Sequence, residues 1–234
     1  MILPLWDENP FKKDRWPVVS WTLIGINIAV YLAVSGMSDD TYQALINRWG
    51  LTPAALFHPA GWTALVTPLT ATFLHANFLH LFGNMLLFWI VGDDVEEALG
   101  RRRFALFYIA CALLSSLAYA ISAPQSSTPE IGASGAIAAL LAAYVMFRPC
   151  KKITTLLFWF VVRIDAYWVI GGWVVFQLVD IALTTDDGGD GVAYAAHIGG
   201  LIAGSALFAW LRPEGVELFQ CLDEPKARAD GTVT

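Results

Sequence analysis

The chain has 234 residues, of which 57% are hydrophobic and only 15% charged, against roughly 25% charged residues in a soluble globular domain. Several apolar stretches reach or approach the roughly 20 residues that a helix needs to cross a hydrocarbon core of about 30 Å, so a soluble fold is excluded. A formal net charge of −6, with no basic, aromatic-interleaved surface, excludes nucleic-acid binding.

The amino-terminal segment, residues 1–17, is polar and carries Pro10, Lys12, Lys13 and Arg15. Val18 to Ser35 follows as a first membrane crossing, too long for a cleavable signal core and therefore retained. The connection from Gly36 to Asn77 holds Trp49, Pro53, Pro59, Trp62 and Pro68 and is expected to lie at the membrane interface. His58, within it, reads as a loop residue. Phe78 to Val91 is the second crossing. The acidic run Asp93, Asp94, Glu96 and Glu97 reads as a solvated helix end facing Arg101, Arg102 and Arg103. Phe104 to Ala123 and Gly132 to Phe147 are the third and fourth crossings. Ile153 to Ile164 is apolar but interrupted by Arg163, and is expected to lie at the interface. Ala166 to Leu183 and Val192 to Leu211 complete six. Residues 212–234 form a polar tail expected to be disordered. The three cysteines, Cys111, Cys150 and Cys221, are odd in number and unpatterned, which predicts neither a disulfide framework nor a zinc site.

The expected architecture is therefore an all-α integral membrane protein, a six-helix bundle over residues 18–211. An even number of crossings puts both ends on one side. The arginines and lysines, Arg48 apart, fall on that side, which makes it the cytoplasm. The opposite loops carry Asp39, Asp40, Glu130, Asp186, Asp187 and Asp190. No internal repeat is visible, which counts against a transporter.

Polar side chains in hydrocarbon are costly and tend to face a bundle interior or a cavity. Four stand in the outer halves of the second, fourth and sixth crossings: His80 and Asn84 one turn apart, Ser134 between Gly and Ala neighbours, and His197. Counted at about 1.5 Å per residue from their inner ends, Ser134 and His197 lie at the same depth, about 20 Å above the cytoplasmic boundary. Gly200 and Gly204 form a small-residue ridge one turn beyond His197, and Gly132 and Gly135 flank the serine, so the two helices can pack closely. That arrangement predicts Ser134 as nucleophile and His197 as its general base. Asn84 and His80, with the Ser134 backbone N–H, are the expected oxyanion donors. No carboxylate is placed to orient the imidazole; Asp180 is expected to face outer water. His75 reads as a structural or interfacial residue.

Gly132-Ala133-Ser134-Gly135, His80-x-x-x-Asn84 after Phe73-Leu74-His75, Gly92-x-x-x-Glu96 and Ala196-His197-x-x-Gly200-x-x-x-Gly204 together resemble the rhomboid family of intramembrane serine proteases. The resemblance covers about Val18 to Leu211. It implies a Ser134–His197 dyad, an oxyanion site at His80 and Asn84, no metal or cofactor, and transmembrane proteins as substrates within the lipid bilayer. It also implies that the fifth helix and the loop after it act as substrate gate and cap. A bacterial inner-membrane location with both termini cytoplasmic follows from the same reading. Two departures stand out. Many members carry Trp-Arg in the first loop, where this chain has Trp62-Thr63; some carry an aromatic residue four positions after the serine, where this chain has Ala138. Tyr194 and Phe88 are the candidates to hold the His197 ring in its place. The competing readings are a catalytically silent rhomboid-like binder of transmembrane clients and, more distantly, a channel or small-solute transporter.

Overall fold

Backbone in lipid must satisfy its N–H and C=O groups within its own segment, so the apolar runs fold as helices. The computed structural model describes residues 2–7, 16–58, 61–183 and 193–221. In chain order the helices are α1 (Val18–Val34), α2 (Asp39–Trp49), α3 (Pro53–Phe57), α4 (Thr63–Thr70), α5 (Phe78–Leu99), α6 (Arg101–Ser122), α7 (Ser134–Phe147), α8 (Ala166–Leu183) and α9 (Ala193–Leu211). Among the described residues, Phe78–Leu99, Arg101–Ser122 and Tyr194–Leu211 are long and apolar enough to cross a membrane by themselves, while α1, α7 and Ala166–Val179 of α8 are shorter apolar helices. Exposed Leu79 and Phe82 on α5, Leu106 and Ile121 on α6, Phe176 and Val179 on α8, and Ile202 on α9 give the molecule an apolar exterior. The protein is an integral membrane protein.

The bundle is built around α7, every residue of which from Gly135 to Tyr144 is buried. Its small side chains are the reason α9 comes so near. A Cβ at Gly200 would collide with the Gly135 carbonyl, and one at Gly204 with the Ala139 backbone. In a bilayer such close packing, rather than hydrophobic burial, is what draws helices together. On its other flank α9 packs against α6, where Gly199 meets Ala118.

Several expectations are corrected. The fold is not all-α: Ile2–Asp7 (β1), Lys152–Leu157 (β2) and Phe160–Asp165 (β3) form an antiparallel sheet in the order β1-β2-β3. The β2–β3 stretch is too short to cross as a helix, and Ile153, Thr154, Thr155, Val161, Val162 and Ile164 supply the β-branched residues that suit a pleated ladder. Residues 2–7 of the amino-terminal segment are therefore tied into the fold. The acidic run is not a solvated end. It belongs to α5, where Asp94 and Glu96 are buried. Glu96 accepts hydrogen bonds from Val19 N (3.1 Å), Ser20 N (2.7 Å) and Ser20 Oγ (2.8 Å), capping the start of α1. Asp94 takes the Lys151 ammonium at 2.6 Å, which is shared with Asp7 of β1 at 2.8 Å. Cys150 and Cys221 are joined as a disulfide. With them the start of the expected tail, residues 212–221, is ordered: Phe219 N donates to Met146 O at 2.7 Å, and Val216 and Leu218 pack on the core. The Gly36–Asn77 connection is largely helical, and Asp186, Asp187 and Asp190 and residues 222–234 lie outside the described residues, as does the Asp180 side chain.

Candidate active site

Asn77 sets the start of α5: its side chain accepts from His80 N at 2.9 Å as an N-cap, satisfying one of the free donors of the first turn. That fixes His80 in the first turn and Asn84 one turn on, along one face. The chain then meets this face again just before α7. Gly132 has φ 127°, a conformation that favours glycine, and a Cβ there would stand 2.8 Å from both Cε1 and Nε2 of His80 and 3.8 Å from Asn84 Nδ2. Two residues later, half-buried Ser134 is the first residue of α7, whose opening N–H groups have no partner within the helix. α7 is only 14 residues long, about 21 Å. A helix of that length covers only about two thirds of a hydrocarbon core of about 30 Å.

α9 completes the arrangement. The site a Cβ would take at Gly135 lies 3.4 Å from the Ala196 carbonyl, so His197 follows directly on the backbone that faces the start of α7. The structure thus brings Ser134, His80, Asn84 and His197 to one end of α7. It does not hydrogen-bond the expected pair, since His197 Nε2 is buried without a hydrogen-bond partner. Catalytic contacts of this kind are often long in the absence of substrate. Asn84 Nδ2 is likewise buried and unpartnered.

Other side chains escaped sequence reasoning. Gln177 Oε1 lies 3.2 Å from His197 Nδ1, and the Trp173 ring, one turn earlier on α8, stands 5.6 Å from the imidazole. Tyr194 meets the same ring edge-on at 6.4 Å, whereas Phe88 stacks instead on Tyr108. Gln177 is a polar side chain in the middle of an apolar helix, a signal that depth counting on α5, α7 and α9 alone passed over. His75 is almost fully buried with its ring 5.2 Å from that of His80, and its carbonyl accepts from Tyr42 Oη at 2.7 Å. Burial, then the neighbouring His80, pushes the His75 imidazole down to about 4, so it is neutral at physiological pH. The first loop, lacking the expected arginine beside Trp62, is anchored through this Tyr42 bond, through Thr70 Oγ1 to Trp49 O at 2.7 Å, and through the Leu51–Glu130 backbone pair.

Fold and site define a class: a mostly helical integral membrane protein with a half-buried serine at the start of a short central helix, between two histidine-bearing helices. Residues 61–214 match the Rhomboid domain, and the chain belongs to the rhomboid family. It is 27% identical over 199 residues to Rhomboid protease GluP of Bacillus subtilis (strain 168), covering 84% of this chain and 35% of that protein. It is 25% identical over 197 residues to Rhomboid protease GlpG of Salmonella choleraesuis (strain SC-B67), covering 83% of this chain and 63% of that protein. The chain therefore spans between 35% and 63% of the length of these curated relatives.

Proposed function

We propose that this protein is an intramembrane serine endopeptidase that hydrolyses peptide bonds in or near the transmembrane segments of other membrane proteins. The observation that carries the reading is the convergence at the start of α7: His80 and Asn84 against Gly132 on one side, and the backbone preceding His197 against Gly135 on the other. In the reaction, Ser134 Oγ attacks the scissile carbonyl while its proton passes to His197 Nε2. The negative oxygen of the tetrahedral intermediate takes hydrogen bonds from Asn84 Nδ2, His80 and the free N–H groups that open α7, where the helix dipole also favours negative charge. Collapse breaks the C–N bond, and the imidazolium returns its proton to the leaving amine. Water then attacks the acyl-enzyme by the same route, releasing the new carboxyl end and restoring Ser134.

In this reading the six apolar helices span a bacterial inner membrane with both termini in the cytoplasm, and α8 serves as the gate through which a substrate helix enters. The test incubates purified protein in detergent or liposomes with a generic transmembrane substrate, alongside Ser134→Ala and His197→Ala. Wild type is expected to cleave and to react with a serine-directed fluorophosphonate; each alanine variant is expected to fold and do neither. Undiminished cleavage by either variant overturns the dyad. A folded wild type that binds transmembrane clients without cutting any of them favours the catalytically silent alternative.

A further inference from the structure

We infer that Gln177 and Trp173 of α8 are positioning residues for His197, holding its ring in the tautomer that leaves Nε2 free to accept a proton. The inference rests on the reading of His197 as general base. An orienting group is required there, because a neutral imidazole carries its proton on either nitrogen and only one form can deprotonate Ser134 through Nε2. A carboxylate usually supplies that orientation in serine hydrolases. No Asp or Glu pairs with this ring among the described residues. The Gln177 amide oxygen does instead: Oε1 can only accept, so at 3.2 Å it requires the proton on Nδ1. Trp173, four residues earlier and on the same face of α8, lies against the ring at 5.6 Å with its plane tilted by 47°. It fills the role left open by Ala138.

The two contacts have a physical consequence for the gate. α8 makes its closer backbone contacts with α7, β2 and β3, and reaches α9 through these long side chains. An outward tilt of α8 that admitted a substrate helix would lengthen the Gln177 bond and the Trp173 contact together. During attack the proton from Ser134 Oγ arrives at Nε2, and the imidazolium keeps its Nδ1–H on Gln177. Among the described residues, the other titratable groups beside the ring are His80 from α5 and Tyr194 from its own helix.

The experiment reads the tautomer directly, by 15N NMR of histidine-labelled protein in the Ser134→Ala background, where no turnover occurs. His197 is expected to carry its proton on Nδ1, and Gln177→Leu is expected to let it distribute over both nitrogens. In the active protein Gln177→Leu is expected to lower kcat about 10²-fold, part of what a general base contributes, with KM little changed. Gln177→Glu keeps the acceptor. It should restore most of kcat and move the acid limb of kcat/KM to higher pH, since a carboxylate favours the imidazolium. Trp173→Phe should cost less than Trp173→Ala. A proton found on Nε2 in the parent overturns the inference, as does a Gln177→Leu variant with unchanged tautomer and kcat. Should Gln177→Leu not fold, an unmoved acid limb in Gln177→Glu overturns it equally. Cleavage surviving in Ser134→Ala would instead sink the protease mechanism and leave the tautomer result standing.

Discussion

Asn84 separates two roles that a polar side chain in a membrane helix can have. Interhelical hydrogen bonds in bilayers are worth about 0.6 kcal/mol on average, so a bridging asparagine affects stability modestly and turnover hardly at all. Yet Asn84 Nδ2 is buried and bonds to no other helix, which leaves that donor free for charge that develops during reaction. Asn84→Ala is therefore expected to lower kcat by about 10²–10³ with little change in KM or melting temperature. An early-melting variant that still cleaves at the wild-type rate would make the residue structural. Gly132→Ala is the complementary probe. At φ 127° any side chain is strained, and its Cβ would press within 2.8 Å of the His80 ring. The strain alone is of order 1–3 kcal/mol. The variant should melt earlier and also lose kcat, because His80 must shift; a thermal shift with kcat intact would show that the Gly132–His80 contact does not position the donor.

At the scale of elements, the helices were legible because apolar runs of about 20 residues have few other solutions. α1, α6, α8 and α9 begin and end within a few residues of the expected crossings. α5 runs eight residues further than expected, to Leu99, because its acidic end is not solvated but spent on partners distant in sequence. Composition shows that Asp94 and Glu96 are charged; it does not show that Lys151 and the start of α1 lie beside them. The same limit hid the sheet, whose β1–β2 pairing joins residues about 150 positions apart. In the site, Ser134, His80, Asn84 and His197 were readable as polar residues at matching depth. Gln177 and Trp173 were not, since their meaning lies in the ring they touch, whereas His75 was read as structural and is buried against His80. Two predictions belong here. Glu96→Ala removes the acceptor for three donors at the start of α1; as a lost cap it should cost about 0.5–2 kcal/mol and lower the melting temperature. Glu130, in the segment leading to α7, has its carboxyl pushed up to about 8 by burial. A group whose folded pKa is raised binds its proton more tightly in the native state. Its contribution is then full below the ordinary carboxylate range near 4.5 and lost as pH rises towards 8. The melting temperature of wild type should fall between pH 6 and 9 more than that of Glu130→Gln. Equal slopes would remove the burial argument.

Across the whole molecule, residues 2–7 and the described segment after α9, residues 212–221, converge on one face. β1 pairs with β2, Asp7 reaches Lys151, and the segment after α9 returns to Met146 and to the Cys150–Cys221 bond. Arg148, Lys151 and Lys152 flank the start of β2 on this face, and in the proposed topology it is the cytoplasmic one. A reducing cytoplasm keeps such thiols reduced, whereas an outward face permits the bond. The redox state of the pair in living cells therefore reports the orientation of the protein, and the proposed topology gives a definite expectation. Rapid alkylation of intact cells with a membrane-permeant maleimide should modify Cys150 and Cys221 as free thiols, while an impermeant reagent should leave them untouched. Oxidising the purified protein should then close the bond, linking positions 71 residues apart. A loop of that order contributes roughly 3–5 kcal/mol, so the melting temperature should rise and fall back to that of Cys150→Ser when reductant is added. The opposite face is probed with Ser134→Cys in a chain whose Cys111, Cys150 and Cys221 are replaced by serine. In the proposed topology the start of α7 takes its water from the outer side, so the impermeant reagent added outside should reach this one thiol. If the impermeant reagent spares this thiol, and Cys150 and Cys221 of the wild type resist the permeant maleimide in cells until a reductant is added, the orientation is reversed and substrates would be cut towards the other side of the membrane.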